Sequence, residues 1–192
     1  AHPPHRQFLA DEVHQQALQR LEMRLGERRP LGPHPNHLIG DAAKPLYELS
    51  VAVERIRAAR AAIDQTGGDT LLVGRAECFF VGRPDLGEAI ERLKAYAHAG
   101  ADCLYAPGIR TREQITAVVA AVAPKPVNLL VGSTTDLTMQ DISALGVRRV
   151  SVGGALARSA WGGFIRAARL IAEQGKFDGF ADAAPGNELN AF

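Results

Sequence analysis

From Pro45 onward the apolar positions of this chain recur with two alternating rhythms. Leu46, Leu49, Val53, Ile56 and Ile63 fall at three-and-four spacing and predict a helix over about residues 45–65 that stops at Gly67-Gly68. A short apolar run then leads into Gly74 and Arg75 and predicts a buried strand over about residues 70–76. Leu86, Ile90, Leu93 and Ala97 mark a second helix, with Pro84 at a first-turn position, Asp85 at its start and Gly100 at its end. The same alternation continues through Asp102-Cys103-Leu104-Tyr105-Ala106 (strand), Ile115/Val118/Val119/Val122 (helix) and Pro126-Val127-Asn128-Leu129-Leu130-Val131 (strand). It then runs through Met139/Ile142/Leu145 (short helix ended by Gly146) and Arg148-Arg149-Val150-Ser151-Val152 (strand). A long last helix follows Gly153-Gly154, with Leu156, Ala160, Phe164 and Ile171 expected on its inner side and a stop near Gly175.

Strand and helix alternate about four times, and the strands are too apolar to face water, so the fold class is α/β with a parallel sheet covered by helices. A doubly wound open sheet and a (β/α) TIM-type barrel both satisfy that pattern. No Gly-x-Gly-x-x-Gly or Gly-x-x-x-x-Gly-Lys sequence follows a strand, which favours the barrel, here partial. Residues 1–40 break the rhythm and are expected to form a separate extension, leaving 41–192 as the barrel domain. Proline and histidine crowd both ends of this extension, around one amphipathic helix with Val13, Ala17, Leu18, Leu21 and Leu25 on its face. The pairs His2/His5 and His34/His37 have metal-ligand spacing, but the proline between or beside them denies a rigid presentation, and no cysteine or carboxylate completes a set.

At 192 residues the chain holds one sizeable core. The 22 Lys and Arg balance 21 Asp and Glu to a net charge of +1, which gives no field to draw nucleic acid or an anionic membrane. No apolar run approaches spanning length. Cys78 and Cys103 are the only cysteines and stand at two different strand ends, which suits a reducing, cytoplasmic setting.

The candidate chemistry sits at strand ends, where ligands bind in α/β folds. Arg75 closes an apolar strand and can grip a carboxylate or phosphonate bidentately. Glu77 lies two residues on, hence on the same side, and either orients Arg75 or binds a water of a metal shell; a purely structural Arg75–Glu77 pair is the plain alternative. Asn128 is a polar residue inside an apolar strand, either a substrate contact or a satisfied core amide. Ser151-Val152-Gly153-Gly154-Ala155 opens a helix after the last strand, where barrels can bind phosphate through backbone N–H groups. Trp161 is expected to anchor an interface or the core rather than to stack on a ligand.

Four of these stretches occur in an order and spacing that resemble the second half of the isocitrate lyase/phosphoenolpyruvate mutase superfamily. They are Gly74-Arg75-Ala76-Glu77-Cys78-Phe79, Ala99-Gly100-Ala101-Asp102-Cys103-Leu104-Tyr105-Ala106-Pro107-Gly108, Lys125-Pro126-Val127-Asn128, and Leu145-Gly146-Val147-Arg148-Arg149-Val150-Ser151-Val152-Gly153. The helix around Ala52-Val53-Glu54-Arg55-Ile56-Arg57-Ala58-Ala59-Arg60 adds to the likeness. The resemblance implies a (β/α) barrel in a homo-oligomer that exchanges its last helix, with a Mg2+-bound enolate intermediate made from small 2-oxo or 2-hydroxy diacids or phosphonates. It implies that Arg75 holds a substrate carboxylate or phosphonate and that Asn128 hydrogen-bonds the substrate. The family's Asp-x-Asp magnesium stretch, Ser-Gly carboxylate loop and Lys-x-Cys-Gly-His gating loop are not found, so no metal ligand is named; Asp41 is a remnant at most of the usual Glu-Asp pair. Two readings follow. One is a Mg-dependent carbon–carbon lyase or phosphonomutase/hydrolase, and the other is a non-catalytic remnant that serves as an oligomerisation module.

Overall fold

The computed structural model describes residues 45–191; the extension expected over 1–40, its histidine pairs and Asp41 lie outside them. Helix α1 (Leu49–Thr66) is followed by β1 (Val73–Arg75), α2 (Leu86–His98), β2 (Cys103–Tyr105) and α3 (Arg112–Val122). Strand β3 (Val127–Leu130), α4 (Met139–Ala144), β4 (Arg149–Ser151) and the long α5 (Ala155–Gln174) complete the alternation. A 3-10 turn (Asp178–Phe180) and the short α6 (Gly186–Leu189) close the described chain.

The four strands form one parallel sheet in the order β1-β2-β3-β4. A doubly wound sheet reverses its order at a switch point, whereas a barrel wall adds each strand beside the last. The described sheet is thus a wall of a partial (β/α) barrel, as the alternation predicts.

The core lies between this wall and its helices. Leu104 and Val127 face outward with Leu93, Ile115 and Val118, all fully or almost fully buried. Gly74 makes that packing tight: a Cβ there would stand 3.0 Å from Tyr96 Cβ and 3.1 Å from Ala101 Cβ, so β1 lies close against α2 only because position 74 has no side chain. At the opposite end of the strands Asp102 ties three elements together. Its Oδ2 accepts from the Leu72 backbone N–H at 2.7 Å and from Arg60 Nη1 on α1 at 2.8 Å.

Helix starts follow local chemistry. Thr111 with Gln114, and Thr138 with Asp141, form capping boxes that start α3 and α4. Asp85 caps α2 through the Glu88 N–H at 3.0 Å. Pro84 therefore precedes the cap instead of occupying the first turn, because the Asp85 carboxylate satisfies the orphan N–H groups one residue later than the proline suggests.

The last helix departs from expectation. Leu156, Phe164 and Ile165 are exposed and, among its described residues, none is buried. The apolar periodicity is real, yet among the described residues the element packed most closely on α5 is the 3-10 turn, where Gly179 approaches the Ala167 backbone. Trp161, 61% exposed, anchors no core here and meets Phe164 edge to face at 5.4 Å.

Candidate anion-binding row

In a parallel sheet, residues in register share a face. The register aligns Arg75 with Tyr105, Tyr105 with Asn128, and Asn128 with Arg149. All four lie on the face turned away from the helices, the side that becomes the interior of a barrel. A polar row thus crosses the inner wall, one residue from each strand.

Arg75 ends β1 with its guanidinium over the Tyr105 ring, Cζ 4.8 Å from the centroid. Its Nη2 stands 2.7 Å from Glu77 Oε1. The approach is close in distance but poorly aligned, and both Arg75 Nε and Glu77 Oε1 are buried without a hydrogen-bond partner. Glu77 is only 3% exposed. Its burial raises the carboxyl pKa above the ordinary 4.5, while the charge and hydrogen-bonding capacity of Arg75 pull the other way without cancelling it. Arg75 is thus paired with Glu77 through Nη2 while its Nε is left without a partner, so the guanidinium has donor capacity beyond that pair.

Asn128 is wholly buried and engaged on both sides. Its Nδ2 donates to Ser151 Oγ at 3.0 Å, and its Oδ1 accepts from Arg149 Nη1 at 2.9 Å. The satisfied-amide alternative therefore describes its present state, and the partners that satisfy it come from the neighbouring strand end. Tyr105 and Arg149 were not singled out from the sequence as site residues. Each is unremarkable within its own strand, and only the strand register places them in line with Arg75 and Asn128.

The loop after β4 leads to the N-terminus of α5, where Gly154 caps the helix without a side chain and Arg158 Nη2 donates to the Gly132 carbonyl at 2.6 Å. This joins the β3 and β4 loops above the row. Cys78 and Cys103 are buried free thiols, each with its pKa raised by burial, and neither is poised as a nucleophile.

Magnesium needs several oxygen donors around one point. Among the described residues no three His, Cys, Asp or Glu side chains gather, and Glu77 is occupied by Arg75. These residues alone do not fit a magnesium site.

The family model for phosphoenolpyruvate phosphomutase matches residues 36–172. An oxaloacetate decarboxylase of Rhodopseudomonas palustris (strain BisB18) is 33% identical over 116 residues, which are 60% of this chain and 38% of that protein. A provisionally described lyase/mutase from Burkholderia cenocepacia J2315 is 44% identical, with a TM-score of 0.77 over 81% of this chain and 56% of that one. An oxaloacetate acetylhydrolase in complex with its product oxalate is 28% identical, with a TM-score of 0.67 over 78% of this chain and 52% of the other. The chain spans less than two-fifths of that decarboxylase and about half of these solved structures.

Proposed function

This chain belongs to the phosphoenolpyruvate phosphomutase family, and we propose that it supplies the anion-gripping wall of a lyase or mutase acting on small 2-oxo or 2-hydroxy acids or phosphonates. The observation that carries this reading is Arg75, held at a strand end by Glu77 and Tyr105 on the inner face of a barrel wall.

Reactions of this class pass negative charge from a breaking C–C or C–P bond into an enolate. A catalyst gains rate by holding the non-reacting carboxylate or phosphonate still, so that binding energy is used where the charge develops. Arg75 does this: its planar fork donates to two oxygens of one anionic group, and the Tyr105 ring stacks against its plane. Glu77 orients the guanidinium. Its carboxylate is turned partly aside from the best hydrogen-bond geometry, so an incoming anion adds to the pair without having to break a perfect one. Asn128 positions Ser151 and Arg149 through its two amide atoms. The magnesium implied by the family resemblance would stabilise the enolate oxygen, and its ligands would come from outside the described residues; no step here depends on it. The free, buried thiols support a reducing cytoplasmic setting, and no described helix is long and apolar enough to cross a membrane.

A second reading has its own observation. Leu156, Trp161, Phe164 and Ile165 present apolar surface along α5, which a second copy of this chain would cover by exchanging the same helix. That arrangement serves an active oligomer and a non-catalytic assembly module equally well.

The enzymatic reading is tested by incubating the purified chain with oxaloacetate and magnesium and following loss of substrate and the identity of its products. Turnover abolished by Arg75→Gln in a folded variant supports it. A folded chain with no turnover and no affinity for small dianions leaves only the assembly reading.

A further inference from the structure

Arg149 stands at the far end of the row, and the proposed chemistry gives it no role of its own. It opens β4 in register with Asn128 and donates from Nη1 to Asn128 Oδ1 at 2.9 Å. Several arginines around the wall are paired with carboxylates, whereas Arg148 and Arg158 bond to backbone carbonyls. Arg60 holds Asp102 and Asp64, Arg83 and Arg92 share Glu88, and Arg112 holds Asp141. Among the described residues Arg149 has no carboxylate partner.

The lean of the two guanidinium groups is informative. Arg75 starts from β1 and lies over Tyr105 of β2, while Arg149 starts from β4 and bonds to Asn128 of β3. Strands β2 and β3 are hydrogen-bonded neighbours, so each arginine leans inward by one strand, toward the same adjacent pair. One strand spacing is about 4.8 Å. Like charges turned toward one another repel unless an anion lies between them, and Glu77 compensates Arg75 alone. The buried Asn128 holds Arg149 in this inward position and gives up its only acceptor to do so.

We infer that Arg149 is a specificity-determining residue, the second cation of the site, which selects small dianions over monoanions of the same size. This rests on the reading that the inner face binds the substrate. Arg75 takes one anionic group and Arg149 the other, with Asn128 as the positioning residue that fixes the second guanidinium. Arginine suits the role because its fork is rigid, whereas lysine would keep the charge and lose the paired donors.

The test is a calorimetric titration of the full chain with oxalate, a small dianion, and with glycolate, a monoanion of similar size, each with and without magnesium. Wild type, Arg149→Gln, Arg149→Lys and Arg75→Gln are compared after their cooperative melting is verified. Arg149→Gln is expected to weaken oxalate roughly 10-fold or more and glycolate less than about twofold, since one charge-assisted contact is lost for the dianion alone. Arg149→Lys should restore part of the oxalate affinity, and the salt dependence of oxalate binding should be shallower in Arg149→Gln than in wild type. Oxalate binding that is unchanged in Arg149→Gln but lost in Arg75→Gln overturns the inference and leaves the anion-gripping role of Arg75 standing. A wild-type chain that takes up no oxalate under either condition overturns both.

Discussion

Glu77 shows how two forces compete at one residue. Desolvation favours the neutral acid, Arg75 favours the carboxylate, and desolvation prevails, so the folded-state pKa lies above 4.5. Between pH 4.5 and that raised value the folded chain holds a proton that the unfolded chain has released. Stability from this group is therefore complete below the window and falls as pH rises through it. Glu77→Gln should flatten the profile of urea midpoint against pH above pH 4.5, and parallel profiles for variant and wild type would refute the assignment. Asn128 makes a second case. Replacing it with leucine keeps most of the volume but strands the Arg149 donor and the Ser151 hydroxyl, and should cost about 1–3 kcal/mol in urea unfolding, toward the lower end because Arg149 can turn to water. Arg75 and Glu77 were legible in the sequence because charges that end an apolar run have few bland explanations. Tyr105 and Arg149 were not, because an exposed arginine beginning a strand and an aromatic ending one are ordinary until register aligns them. For the same reason Asn128 could be flagged but not resolved between core amide and substrate contact.

At the scale of elements, order and type followed the apolar rhythm, while boundaries were set by caps and turns. Asp85 shows this for α2, and the Thr111/Gln114 box shows it for α3. Thr111→Ala should cost about 1 kcal/mol, read as a shift in urea midpoint without a change in slope. The α4 box adds a pH signature. Asp141 is held to a pKa of about 2 by the Thr138 hydroxyl and N–H together with Arg112. Its contribution is present above its ordinary value of 3.8 and is lost as pH falls from there toward 2. Thr138→Ala should thus make acid unfolding between those values less steep. Gly108, in the turn that leaves β2, has φ +103°, and a Cβ there would stand 2.6 Å from Phe79 Cβ. Gly108→Ala should cost at least about 1–2 kcal/mol, because both the backbone angle and the contact oppose it. The misread element is α5. Its periodicity was visible, but periodicity states only that one face is apolar and not what covers it, so a face expected to point inward is open in the described chain.

At the scale of the whole molecule, a four-strand wall presents polar side chains inward and leaves one long helix with an apolar face. Further barrel strands or a second copy would cover both features. Sedimentation velocity at rising concentration should show self-association that Trp161→Ser with Phe164→Ser reduces, and a monomer insensitive to both changes would count against helix exchange. The central claim is that the inner face grips small anions through Arg75. Its most direct measurement is a thermal-shift titration with oxalate, with and without magnesium, on wild type and Arg75→Gln. A ligand that binds only the folded state raises the melting temperature by mass action, whatever the natural substrate. The account predicts a concentration-dependent rise for wild type that Arg75→Gln removes. An unmoved melting temperature for a cooperatively melting wild type at high oxalate, or an equal rise in both proteins, would contradict it.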